Sequence, residues 1–138
     1  MANALYPKFK AQLMKAAIDL SSASLTLRAI SIDLASYTYS ASHEFLSDVG
    51  APARIKKSNP LTGKTVNLTT GAFDSDDPTM ESVPGGTDID AIILYIDTGV
   101  DATSRLLMFQ DTNISTVPFT PDGSDIRIIV DAGGWFIL

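Results

Sequence analysis

Residues 90–111 read DAIILYIDTGVDATSRLLMFQD, in which two apolar runs flank a short polar segment. Each run has the length and the content of β-branched and aromatic residues typical of a strand, and the polar segment suits a hairpin loop. Alternation places Ile92, Leu94 and Ile96 on one face, but Ile93 and Tyr95 make the opposite face apolar too. A hairpin that is apolar on both sides must be covered on both sides. We therefore expect a second sheet on one face and a helix or a neighbouring subunit on the other.

The N-terminal segment, residues 3–17, predicts an amphipathic helix. Its apolar residues Leu5, Phe9 and Leu13 recur every four positions, and lysines occupy other parts of the helical wheel. Asn3 is suited to cap the first turn. This helix is the expected cover for one face of the hairpin.

The rest of the chain predicts short strands separated by turns. A short helix is expected at residues 42–49, and strands are expected at residues 24–32, 53–58, 64–70, 79–83, 115–119, 126–130 and 135–138. The apolar end, residues 135–138, is expected to be buried as a strand paired beside 126–130; the alternative is that it closes against another subunit. Strands at this spacing indicate a single domain, residues 1–138, in which a jelly-roll-like β-sandwich spans 24–138 behind the N-terminal helix.

The composition excludes several classes of protein. The 138 residues contain no cysteine, so disulfides and thiolate metal sites are absent. Ten Lys and Arg against 16 Asp and Glu leave a net charge of −6, which argues against nucleic acid as a partner. The cluster of Arg54, Lys56 and Lys57 predicts a charged edge strand. Neither a membrane span nor a secretory signal is recognisable, so assembly in the cytoplasm is expected.

Motifs that could carry chemistry are incomplete. The segment 61–65, LTGKT, lacks the first glycine of a phosphate-binding loop, and a strand is predicted where that motif needs a helix. His43 is the sole histidine and has no zinc-protease or serine-elbow context. Asp74, Asp76 and Asp77 lack the glycine and closing glutamate of a calcium loop. We therefore predict no catalytic residue, no metal site and no cofactor.

A series of short segments resembles a known family. In chain order they are MANALY (1–6), YTYS (37–40), HEFLSD (43–48), LTGKTV (61–66), FDSDDP (73–78), YIDTG (95–99), ATSRL (102–106) and PDG (121–123). Their combination over nearly the whole chain is similar to small virion structural proteins encoded by tailed bacteriophages. The resemblance implies a place in a phage particle, assembled in the host cytoplasm, and supplies no catalytic residues.

The resemblance and the absence of chemistry lead to a structural role. We expect a capsid decoration (cement) protein that stabilises the shell; the alternatives are a tail, baseplate or fibre-adaptor protein and a carbohydrate-binding module on the virion surface. The expected partners are other virion proteins, the major capsid protein or tail components, together with further copies in a homo-oligomer, and no membrane. Candidate interface residues are Leu5, Phe9, Leu13, Tyr37, Tyr39, Trp135 and Phe136. A carbohydrate-binding module would need Tyr37, Tyr39 and Trp135 exposed on one face.

Overall fold

The structure of the chain is a computed structural model that describes residues 3–112 and 117–138. Within these residues, strand pairing produces three antiparallel sheets, and no helix is long and apolar enough to cross a membrane. The elements are β1 (Ala4–Leu5), α1 (Pro7–Met14), β2 (Leu27–Ile32), β3 (Arg54–Lys57), β4 (Thr65–Val66), β5 (Ala72–Asp74), β6 (Thr79–Met80), β7 (Ala91–Ile96), β8 (Leu106–Gln110), β9 (Ile126–Arg127) and β10 (Phe136–Ile137). The mainly β fold class predicted from the sequence is confirmed.

The central hairpin is present as predicted. Strands β7 and β8 pair antiparallel, with Ile93 opposite Phe109 and Leu94 opposite Met108. They occupy the middle of a five-stranded sheet with the order β1-β8-β7-β2-β3. All six residues of β7 are buried, and so are the first four residues of β8. The prediction that both faces of this hairpin are covered is therefore confirmed.

The two covers of the hairpin differ in kind. Met108 and Phe109 are successive strand residues, so their side chains point to opposite faces. The ring of Phe109 lies 5.5 Å from that of Tyr39 and 6.4 Å from that of Tyr37, between ring centroids. Met108 lines a groove together with Phe136, which belongs to the second sheet, β10-β5-β4. The second sheet was expected, but on the Phe109 face an irregular segment, residues 33–44, takes the place predicted for a helix or a neighbouring subunit.

The N-terminal helix exists but is shorter than the predicted range 3–17. Residues 4–5 pair with β8 as the edge strand β1, and α1 starts at Pro7. Asn3 is consequently not a helix cap; its side-chain oxygen accepts a hydrogen bond of 2.9 Å from the backbone N–H of Asp111. The physical reason is that β8 offers unpaired backbone groups at its edge. Pairing with β8 satisfies the backbone hydrogen-bonding groups of residues 4–5. The helix therefore begins only at Pro7, whose ring fixes a helical φ.

The C-terminal strand forms with a different partner from the one predicted. Residues 135–138 were expected beside 126–130, whereas β10 pairs with β5, and β9 pairs with β6. The backbone N–H of Trp135 donates to the carbonyl of Phe73 over 2.7 Å. Gly134, with φ of 96°, brings the chain so close to this carbonyl that a Cβ would collide with it. The glycine thus permits a turn onto β5 that a residue with a side chain would obstruct.

The prediction of a helix at residues 42–49 is wrong. Only a 3-10 turn, Leu46–Asp48, forms there, and Phe45 makes an isolated β-bridge to Arg105. The carboxylate of Asp48 accepts the backbone N–H groups of the two residues just before the turn, so the turn begins later than the pattern suggested.

Most of the other predicted strands are present over fewer residues. An observed strand lies within each of the predicted ranges 24–32, 53–58, 64–70, 79–83 and 126–130. The strand predicted at 115–119 falls partly outside the described residues, and within them Phe119 bridges to Ile89. The observed strands are shorter than predicted because a ladder of backbone hydrogen bonds ends where no neighbouring strand continues it, and the smaller sheets have only two or three strands.

Candidate docking surfaces

A cluster of tyrosines joins the start of α1 to the irregular segment that covers the hairpin. The hydroxyl of Tyr37 is 2.9 Å from the hydroxyl of Tyr6 and 2.8 Å from Nδ1 of His43. Tyr6 is held at the start of α1, where its backbone N–H donates to the carbonyl of Leu107. The rings of Tyr6 and Tyr39 lie 5.1 Å apart. These contacts fix Tyr37 inside the subunit.

Burial determines the titration of these phenols. Burial, followed by the hydrogen bond with Tyr37, raises the pKa of Tyr6. Burial raises the pKa of Tyr37 to about 12, although the hydrogen bond with Tyr6 partly offsets this effect. Burial also raises the pKa of Tyr39. The folded subunit therefore favours the neutral, protonated form of these phenols.

Raising the pH above about 10 is expected to destabilise the fold through Tyr37. Its pKa is about 12 when folded, whereas that of an exposed phenol is about 10. Above about pH 10 the unfolded chain binds fewer protons than the folded one. Stability that is present at lower pH is therefore lost as the pH rises towards the folded pKa. Urea denaturation of wild type and Tyr37→Phe across this range measures the effect. The stability difference between them should shrink by up to about 1.4 kcal/mol per pH unit, and a constant difference would contradict the assignment.

The predicted interface residues divide into two groups. Phe9, Tyr37 and Trp135 are buried within the subunit, so they contribute to its own core. The other four are partly buried hydrophobics packed against that core: Leu5, Leu13, Tyr39 and Phe136. A carbohydrate platform built from Tyr37 and Trp135 is incompatible with their burial, because stacking on a sugar needs an exposed ring face. A role of the second group in an interface stays a prediction.

An apolar surface lies around the C-terminal strand. Leu68, in the turn after β4, is 97% exposed, and Leu138 is 67% exposed. Val66 is also exposed and shares with Leu13, Phe136 and Leu138 a groove of about 210 Å³. We call these five residues the C-terminal apolar surface. The expectation that the apolar chain end is buried is therefore wrong for its last two residues, Ile137 and Leu138.

Two members of this surface were not predicted from the sequence. Val66 and Leu68 fall in the range 64–70, which was predicted to be one strand. Only Thr65–Val66 is a strand, and the backbone N–H of Asn67 donates to the carbonyl of Ala72 to start a tight turn. Asn67 was the available signal, because asparagine side chains favour turns by bonding to nearby backbone N–H groups.

The basic cluster lies where the charged edge strand was predicted. Strand β3 is the last strand of the five-stranded sheet, which confirms this position. Arg54 donates to the carboxylate of Asp101 over 2.6 Å and to the carbonyl of Val49 over 2.7 Å. Lys57 lies 3.9 Å from Asp97. These groups border a cleft of about 360 Å³ whose charges are largely compensated within the chain.

The acidic turn after β5 uses its carboxylates in separate contacts. Asp76 accepts a hydrogen bond of 3.2 Å from the Thr62 hydroxyl, and Asp77 accepts one of 2.8 Å from Arg127. Gly63 has φ of 63°, and a Cβ there would lie 2.7 Å from the Asp76 carboxylate. Within residues 3–112 and 117–138, no group of three or more acidic or histidine side chains is placed to hold a metal ion. Through these hydrogen bonds the turn links the loop at Thr62 to strand β9.

Comparison of the sequence with protein-family models and with curated proteins gives no match. The chain's own surfaces are therefore the guide to its function. Of these, the C-terminal apolar surface is a candidate docking site, because Val66, Leu68 and Leu138 expose large hydrophobic side chains on or beside the two edge strands of the three-stranded sheet.

Proposed function

We propose that the chain is a structural component of a tailed-phage virion, where it acts as a capsid decoration protein. The C-terminal apolar surface carries this proposal, because Leu68 and Leu138 remain exposed after the subunit has buried its own core. Contiguous exposed apolar patches on soluble domains commonly mark sites of protein association. The resemblance to small virion structural proteins supports the same role.

A structural role is also supported by the contacts of polar side chains that could otherwise be candidates for catalysis, because these side chains are bound to other residues of the subunit. Nδ1 of His43 is hydrogen bonded to Tyr37, and the rings of these residues lie 5.4 Å apart. Asp101 is held by Arg54 and Asp97 by Arg28, each within 2.7 Å. We therefore propose that these side chains position loops. We also propose that the β-rich core is arranged as a jelly-roll-like sandwich.

A tail, baseplate or fibre-adaptor protein would need the same kind of docking surface. The two placements differ in copy number, because a decoration protein covers the shell and an adaptor occupies one vertex or one ring. Reconstruction of intact particles of the encoding phage tests the placement directly. Density for this fold across the capsid surface is the expected result, and density confined to the tail would replace decoration by the alternative.

Replacing Leu68 and Leu138 together by aspartate is expected to abolish binding to particles without changing the melting temperature. Both side chains are largely exposed in the subunit, so their loss removes little folding energy. Each leucine buried on docking contributes about 1.5–3 kcal/mol, so we expect affinity to fall by roughly tenfold or more per residue. Co-sedimentation of purified protein with particles that lack it measures this effect.

Val100→Asp is the matched control, because Val100 is 57% exposed in the loop between β7 and β8. This variant should bind particles like the wild type. If the leucine double variant binds as tightly as the control, docking uses another surface. If the wild type itself does not bind particles, the proposed function is wrong.

A further inference from the structure

The exposed side of α1 carries basic residues without ionic partners. Lys8, Lys10 and Lys15 are exposed, and none of them forms an ion pair with any residue that the structure describes. Met14 beside them is 83% exposed. The first acidic residue of the chain is Asp19, beyond the helix. An acidic protein thus has a helix surface that is locally positive.

Other basic side chains are engaged with their own chain, which makes this helix distinctive. Five of them contact carboxylates: Arg28, Arg54, Lys57, Arg105 and Arg127. Lys64 donates to the carbonyls of Ser22 and Leu25. Apart from Lys56 on β3, only the three lysines of the α1 region lack such contacts among the described residues. Uncompensated positive charge is therefore concentrated at α1.

The arrangement of residues on the helix separates a core side from this basic side. Phe9 and Leu13 are four residues apart and lie on the side that faces the core, where Phe9 is fully buried. Lys10 and Met14 are likewise four apart, and Lys8 and Lys15 are seven apart. Each of these pairs shares a side of the helix that solvent reaches. The exposed side combines charge with one large apolar side chain.

A second surface has the opposite charge. Residues 81–88 and 120–125 are tied together: Ser82 N–H donates to Asp125, and Thr120 donates to Asp88, each over 2.8 Å. The exposed carboxylates of this surface are Glu81, Asp88, Asp122 and Asp125. Phe119, which bridges to Ile89, is 42% exposed next to them. This acidic end therefore also combines uncompensated charge with an exposed apolar side chain.

We propose that the basic side of α1 in one copy docks on the acidic end of a second copy. Lysines would meet carboxylates, and Met14 and Phe119 would be covered. The two surfaces are different, so each docked copy keeps one of them free. Such a head-to-tail contact leads to rings or open chains and not to closed two-fold dimers. Because the charges are exposed, the association is weak and depends on salt.

Charge reversal on each surface tests this arrangement with the isolated protein. Sedimentation velocity should show association at low ionic strength that weakens roughly tenfold or more near 0.5 M salt, where screening is strong. One variant reverses the helix, Lys8→Glu, Lys10→Glu and Lys15→Glu. The other reverses the acidic end, Glu81→Lys, Asp88→Lys and Asp122→Lys, which leaves Asp125 as its single carboxylate and makes that end net positive. Each variant alone should stay monomeric, because its two surfaces then repel.

Mixing the two variants should restore association, since an acidic helix then meets a basic end and a basic helix meets an acidic end. A change in net charge alone does not explain this pattern. The variant with the reversed acidic end moves the net charge from −6 towards zero, which reduces overall repulsion between copies, yet this variant alone should still fail to associate. Lys56→Glu, on β3, is the control and should behave like the wild type. The single variant Lys10→Glu, with its melting temperature measured, separates weakened association from damage to the fold.

The remaining outcomes overturn the inference. A wild type that is monomeric at low salt, or variants that still associate alone, would show that these surfaces do not meet. Association that persists at high salt and is lost in the Leu68 and Leu138 double variant would assign self-contact to the C-terminal apolar surface. The inference concerns contacts between copies, so its failure leaves the proposed docking on particles untouched.

Discussion

Phe9→Ala is expected to lower the free energy of unfolding by about 3–5 kcal/mol, the range for removing a fully buried phenylalanine. Phe9 is the one buried residue of α1, and its ring meets that of Phe136 edge-on at 5.8 Å. The ring of Phe136 in turn lies 5.7 Å from that of Phe73. The substitution would leave a cavity where the helix joins the second sheet. Urea denaturation at neutral pH measures the loss.

Met14→Ala is the matched control on the same helix. Met14 is 83% exposed, and alanine favours helix at least as well as methionine. The unfolding free energy of this variant should stay within about 0.5 kcal/mol of the wild type. If Phe9→Ala were equally silent, α1 would not be packed against the second sheet.

Deleting residues 135–138 is expected to abolish folding of the isolated subunit. The deletion removes Trp135, which is 3% exposed and donates from its indole N–H to the Ser75 hydroxyl over 2.8 Å. It also removes the strand that pairs with β5 and the Phe136 ring. Loss of a buried tryptophan alone costs about 3–5 kcal/mol, a large part of the stability of a domain of this size. Circular dichroism and thermal melting of the truncated protein measure the outcome.

A shorter deletion, of residues 137–138 only, provides the comparison. Ile137 and Leu138 are 60% and 67% exposed, so this variant should fold with a modestly lower melting temperature and bind particles less well. If the longer truncation also folds with an unchanged melting profile and merely fails to assemble, Trp135 belongs to an interface and not to the subunit core.

Part of the proposed docking surface could be predicted from the sequence. Leu13 and Phe136 were expected at an interface from helical periodicity and from the apolar chain end, and both line the groove of the C-terminal apolar surface. Leu68 was missed because 64–70 was predicted to be one strand, whereas only Thr65–Val66 is a strand and Leu68 lies in the turn after it. Whether such a segment forms a strand or a turn depends on the partner that the backbone finds.

The sequence by itself determined the hairpin in residues 90–111 and the charged edge position of β3. In both cases the signal is local, since the alternation of side chains along a strand and the content of a loop are properties of neighbouring residues. Only the tertiary structure decided that Tyr37 and Tyr39 cover the Phe109 face, and that β10 pairs with β5. Several short apolar strands could have satisfied the same backbone hydrogen bonds. The choice among them depends on which side chains fill the space between the sheets without leaving cavities, and no single segment contains that information.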